Sequence, residues 1–189
     1  MSIDDRPRVE VRSIDRLRDW LSRNHSTSES AWLVTCKKAQ ADYLPWGDVV
    51  EELICWGWID STVRSVDEMR LQHRIAPRKE TSAWSAVNKS IVTKMRKAGR
   101  MQPSGEAKIA AAKANGMWRF LDDVDRLEVP EDLATALGAA RESWESWSRS
   151  VKRTWLEQIK RAKTAPTRKK RINACAEAAR SNAKRGGLG

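Results

Sequence analysis

The chain has 189 residues, 40% apolar and 32% charged, with a formal net charge of +11. That length serves one sizeable core with at most a small appended unit, and ten tryptophans argue against a disordered chain, which would be poor in aromatics. No apolar run approaches the roughly 20 residues that span a bilayer, the polar N-terminus has no apolar h-region, and three widely spaced cysteines form neither a disulfide framework nor a zinc pattern.

In chain order, Ser13 caps a short helix with Ile14, Leu17 and Leu21 on one face. Residues 25–30, HSTSES, form a loop, and 31–37, AWLVTCK, read as a strand with Trp32, Val34 and Cys36 on one side. A helix starts near Pro45, with Trp46, Val49, Val50, Leu53 and Ile54 inward, and ends at Gly57. Two strands follow, about 58–66 and 70–76, turning around Asp67–Met69. A three-residue turn puts Ile59, Val63, Leu71, His73 and Ile75 on one face. Asp60, Thr62, Arg64, Arg70, Gln72 and Arg74 then take the other.

The next helix begins near Ser85, with Val87, Ile91 and Met95 inward, and ends at Gly99; Pro103 opens another that stops near Gly116. Residues 117–129 read as an irregular acidic connector. From Pro130 onward the pattern is helical, marked by Leu133 and Leu137, then Trp144 and Trp147, then Val151, Trp155 and Ile159, and last Arg171, Ile172, Cys175 and Ala179. The tail, 181–189, is expected to fray. The fold class is α+β: a small antiparallel sheet with packed helices, followed by a helical C-terminal region. The expected division is an α+β domain over 1–116, the connector over 117–129, and a basic helical region over 130–189 packed on the first.

With those elements placed, the chain resembles the bacterial YdeI/OmpD-associated family, also described as bacteriocin-protection proteins. The matching pieces are CWGWID (55–60), PRKETSAWSAVN (77–88), AGRMQPSG (98–105), VPEDLATAL (129–137) and PTRKKRI (166–172), spread over nearly the whole chain. Ser61 departs from the pattern, since relatives often carry Gly after the WID triplet. The resemblance implies a role in envelope stress or antimicrobial-peptide tolerance. It implies no established reaction and no catalytic residue.

The residues themselves point to an anion site. Arg78 and Lys79 follow a strand that ends at Pro77, and a helix starts a few residues later, where free N–H groups and the helix dipole favour negative charge. Ser82 or Ser85 serves as the cap, Trp84 adds an indole, and Asn88 is free to turn outward. Arg64 and Arg74 lie on the polar face of the hairpin, with Asp60 beside them to orient Arg74, and Trp58 walls the pocket. A phosphate or carboxylate is the expected ligand. The competing reading is a capped helix, core indoles and solvated cations.

Catalysis has thin support. No Gly-rich phosphate loop, GxSxG, HExxH or CxxC occurs, and no cofactor or metal is expected. Between Arg149 and Arg185 thirteen Lys or Arg face two acids, so this segment holds the whole charge excess. It suits weak, non-specific contact with nucleic acid. The resulting expectation is a cytoplasmic, non-catalytic binding protein with reduced, mostly buried cysteines, no membrane insertion and no assignable protein partner. The alternatives are an enzyme acting on a phosphorylated or carboxylate molecule in the same pocket, and a nucleic-acid binder using the C-terminal helices.

Overall fold

Residues 6–183 are described in a computed structural model of the chain. The fold is α+β, and the chain divides into two compact units, Met1–Arg119 and Phe120–Gly189. The division falls inside the segment read as a connector.

The first unit is built on a four-stranded sheet of order β1-β2-β4-β3, with β1 Arg8–Glu10, β2 Ala31–Cys36, β3 Trp58–Ser65 and β4 Arg70–Pro77. β1 runs parallel to β2 and the other pairs are antiparallel, so the sheet is mixed. The sequence reading missed β1, because three residues are too few to display an alternation.

The expected three-residue turn holds: Val63 pairs with His73, Arg64 with Gln72 and Ser65 with Leu71. Asp67 pins the turn by accepting the Met69 and Arg70 N–H groups. The far end of the hairpin departs from expectation. A β-bulge between Asp60 and Val63 shifts the register, so Ile59 pairs with Ala76 and Asp60 with Ile75. One extra residue reverses the alternation. Asp60 therefore shares a face with Ile75 and His73, not with Arg64 and Arg74.

Helices α1 (Ile14–Asn24) and α2 (Trp46–Cys55) cover one sheet face. The core there joins Leu17, Leu21, Val49 and Leu53 to Ala31, Leu33 and Ile75. Ser13 caps α1 by accepting the Arg16 N–H, as its sequence suggests. α3 (Ala86–Lys97) and α4 (Pro103–Ala114) close a second core of Ile54, Trp84, Val92, Ile109 and Ala112. Met95 is buried as expected, but Val87, also expected inward, is exposed, and Val92 completes the buried stripe. Gly57 ends the α2 turn at φ +74°, and Gly105 lets α4 pass against the Cys55 carbonyl, where a Cβ would lie 2.2 Å away.

The second unit is helical: α5 (Asp122–Asp125), α6 (Glu131–Leu137), α7 (Arg141–Glu145), α8 (Arg149–Lys160) and α9 (Ala165–Arg180). The segment read as irregular thus contains one helical turn. Leu133, Leu137, Trp144, Trp147, Trp155, Ile159, Ile172, Cys175 and Ala179 are buried, as the spacing predicts. Residues 184–189, most of the tail expected to fray, lie outside the described residues. No helix among the described residues is long and apolar enough to cross a membrane.

Candidate functional site

The ten residues singled out by sequence fall into three places. Arg78, Trp84, Ser85 and Asn88 do come together. The Arg78 N–H donates to the Gly57 carbonyl at 2.8 Å, which carries the chain past the end of β4. Its side chain turns inward and is 3% exposed. The guanidinium lies 4.0 Å from the centroid of the Trp84 ring, donates to the Ala83 carbonyl at 2.5 Å and reaches Asn88 Oδ1 at 3.5 Å. Ser85, not Ser82, caps α3 by accepting the Asn88 N–H. Asn88 faces Arg78 and does not turn outward. These residues thus fasten the β4–α3 connection. Lys79 and Ser82 form a turn beside it, Ser82 N–H donating to the Lys79 carbonyl, with Lys79 exposed.

Arg64 and Arg74 lie on the sheet face away from α1 and α2. Arg74 is the cross-strand neighbour of Trp32, and the Arg64 guanidinium stands 5.1 Å from the Trp32 ring centroid. Asp60 and Trp58 are on the opposite face. Asp60 accepts the Trp46 indole N–H at 3.1 Å, and Trp46 stacks on His73 with ring centroids 3.4 Å apart. Burial holds the His73 imidazole below its usual pKa, and the nearby Asp60 carboxylate partly opposes that. Trp58 is a core residue in edge contact with Trp20.

The cationic surface lies one indole further on. Trp84 packs against Trp118 at 5.2 Å between centroids, and the Trp84 N–H donates to the Met117 carbonyl. Trp118 is half-buried. The Lys89 and Lys113 ammonium groups stand 5.6 and 5.4 Å from its ring centroid. A cleft of about 520 Å³ opens there, lined by Lys113, Gly116, Trp118 and Arg119, with no acid in the lining among the described residues. Sequence reading passed over Trp118, Lys113 and Arg119 because they sit where a helix gives way to an irregular segment. The one signal was an indole set among cations, KANGMWR, across the end of α4.

A second unforeseen cluster centres on Glu52, 1% exposed on α2. Its carboxylate takes Arg18 at 2.8 Å, Arg100 at 2.6 Å and the Trp56 indole N–H at 2.8 Å. Each oxygen of the buried charge meets a cation, which offsets its desolvation. The signal was an acid amid the apolar run of α2.

The two buried thiols, Cys55 and Cys175, are poor nucleophiles. Burial, with the Glu52 charge adding to it, pushes Cys55 up to about 11, and burial pushes Cys175 up to about 12. No group of three or more His, Cys, Asp or Glu able to hold a metal occurs among the described residues.

By fold and side-chain placement this is a two-part α+β protein, a Trp- and Arg-rich mixed-sheet unit followed by a helical one. Residues 9–108, more than half of the chain, match the family described as a domain of unknown function, DUF8412, and the chain belongs to it. Residues 126–182 match the family described as "Bacteriocin-protection, YdeI or OmpD-Associated". That match bears out the resemblance read from the sequence and narrows it. VPEDLATAL and PTRKKRI fall within it, whereas CWGWID, PRKETSAWSAVN and AGRMQPSG fall within the DUF8412 match. No curated protein and no solved structure matches the chain.

Proposed function

We propose that the protein is a non-catalytic cytoplasmic binding protein of the YdeI/OmpD-associated type, whose sheet unit seats a phosphate- or carboxylate-bearing anion. The supporting observation is the Trp118 cleft, where Lys89 and Lys113 stand at a half-buried indole, Arg119 joins the lining, and no acid among the described residues lines the space. Charge-assisted hydrogen bonds from several cations favour an anion there. The expected residues Arg78, Ser85 and Asn88 serve this seat from behind, by fixing Trp84 and hence the platform on which Trp118 rests. The family description ties such a protein to bacteriocin protection, and a role in antimicrobial-peptide tolerance belongs to the same proposal.

The test is thermal stability with inorganic phosphate. A ligand that binds only the folded state stabilises it by mass action, about 2.7 kcal/mol at a hundredfold excess over Kd. Lys113→Ala with Arg119→Ala should remove most of the gain and leave the phosphate-free melting temperature nearly unchanged. An equal gain in the double variant would place the anion elsewhere.

A second reading rests on α9 and the turn that leads into it. Lys163, Lys169 and Lys170 are exposed and make no ion pair among the described residues. They suit weak, sequence-independent contact with nucleic acid, lost steeply as salt is added.

A further inference from the structure

The helical unit has a cleft of its own, about 360 Å³, bounded by α5, the 128–130 segment, α8 and the start of α9. Its apolar wall is Val124, Val129, Pro130, Leu156 and Ile159. Its charged groups are two acids, Asp123 and Glu128, and two bases, Lys160 and Arg168. The lining is therefore neutral in sum, unlike the Trp118 cleft.

At the centre of the charged edge, the Lys160 ammonium donates to Asp123 Oδ1 at 2.5 Å and lies 5.0 Å from the Phe120 ring centroid. Burial raises the Asp123 carboxyl, but the Lys160 bond and the Val124 N–H outweigh it and hold it below the usual carboxylate value. Both of those bonds fall on Oδ1, so Oδ2 can accept a further donor. An ammonium has three N–H donors, so Lys160 can meet a further acceptor. Arg168 is fixed beside it by a two-pronged bond to Asp132, at 2.7 and 2.9 Å. On the other side Leu127 adopts φ +61°, an uncommon conformation for a branched residue. It is held there by bonds from Leu127 N–H to Val124 O and from Glu128 N–H to Asp123 O. Local strain of this kind gathers at ligand clamps.

A ligand that fits must offer a donor to Asp123 and an acceptor to Lys160 close together, with an apolar body for the wall. A bare anion would meet the two acids. A neutral hydrocarbon would strip water from four charged groups without replacing it. We infer that this cleft binds a free amino acid with a branched or aromatic apolar side chain. Its ammonium meets Asp123 and Glu128, its carboxylate meets Lys160 and Arg168, and its side chain lies on Val124, Val129, Leu156 and Ile159. The inference concerns the helical unit and stands apart from the anion seat.

The experiment follows backbone amide shifts of Val124, Val129 and Lys160 in the isotope-labelled full chain. The titrants are L-leucine, L-phenylalanine, glycine, N-acetyl-L-leucine and L-leucinamide. Leucine and phenylalanine should give saturable shifts. The acetylated and amidated compounds, each lacking one charge, should bind about tenfold more weakly, the worth of one charge-assisted contact. Glycine, lacking the apolar body, should give none. Lys160→Met keeps the apolar stem, and should lower the leucine response to that of leucinamide. If that variant does not fold, the series on the native chain decides. No saturable shift with leucine or phenylalanine at millimolar concentration overturns the proposal, as does a response to glycine or N-acetyl-leucine equal to that of leucine.

Discussion

The two units use the same residue, tryptophan, in opposite ways. In the sheet unit three indole N–H groups donate to polar partners: Trp46 to Asp60, Trp56 to Glu52, and Trp58 to the His25 carbonyl. In the helical unit the N–H groups of Trp144, Trp147 and Trp155 are buried with no acceptor among the described residues. Cations of the sheet unit serve both acids and rings, Arg18 and Arg100 pairing with Glu52. Arg64, Arg78, Lys89 and Lys113 lie over indoles of the sheet unit. In the helical unit Lys152, Arg153, Lys160, Arg161 and Arg168 pair with acids. The sheet unit is held by specific polar geometry around its indoles. The helical unit treats indoles as apolar filler and settles its charge at the surface.

The largest effect should come from removing that filler. Trp155→Ala should cost about 3–5 kcal/mol in denaturant unfolding, the range for large core aromatics. Trp155→Phe should cost under about 1.5 kcal/mol, because it keeps most of the volume and deletes a buried donor that has no acceptor. A loss with Phe as large as with Ala would mean that the indole N–H matters and the contrast fails.

In the sheet unit polar changes should hurt. Arg78→Ala should destabilise by about 2–4 kcal/mol, since it removes a buried charge-assisted bond and a cation over Trp84. A melting temperature unchanged by that substitution would return Arg78 to the role of a surface anion ligand. Glu52→Gln should cost about 2–3 kcal/mol. Breaking a buried ion pair costs 3–5, discounted because Arg18 and Arg100 are 31% and 41% exposed. A neutral outcome in the same unfolding measurement would mean that α1, α2 and the Arg100 loop hold together without the carboxylate.

The smallest effect separates the units by pH. The folded His73 pKa lies below the usual 6.5, so the unfolded chain binds the proton more readily. Stability from His73 is present above pH 6.5 and is lost as pH falls from there through the depressed value. In the helical unit Arg168 holds Asp132 below the usual 3.8. Its contribution is present above that value and is lost only as pH falls through the lower folded value. Melts from pH 7 to 5 should therefore show a loss that His73→Asn removes, with a further loss in stronger acid that Arg168→Ala reduces. A pH 7 to 5 loss that persists in His73→Asn would assign it to another group.

Most of the element plan was legible in sequence because it rests on local chemistry. Ser13 and Ser85 cap their helices since a hydroxyl beside an apolar stripe has an N–H to accept. The turn at Asp67–Met69 followed from strand alternation, and Leu133, Leu137, Trp155 and Ile159 from helical spacing. Four things were decided only by tertiary structure. The bulge between Asp60 and Val63 moved Asp60 across the sheet, and the intact alternation on either side gave no sign of an extra residue. Arg78 went inward because Trp84 and the Ala83 carbonyl compensate its charge there, while sequence marks a cation only as a surface residue. Trp118 met Trp84 across more than thirty residues of chain, and Glu52 met Arg18 and Arg100 from opposite directions. Local pattern fixes what each segment can become. Which charges and rings face each other depends on long-range packing, where compensation of buried polar groups outweighs the preference of any one residue.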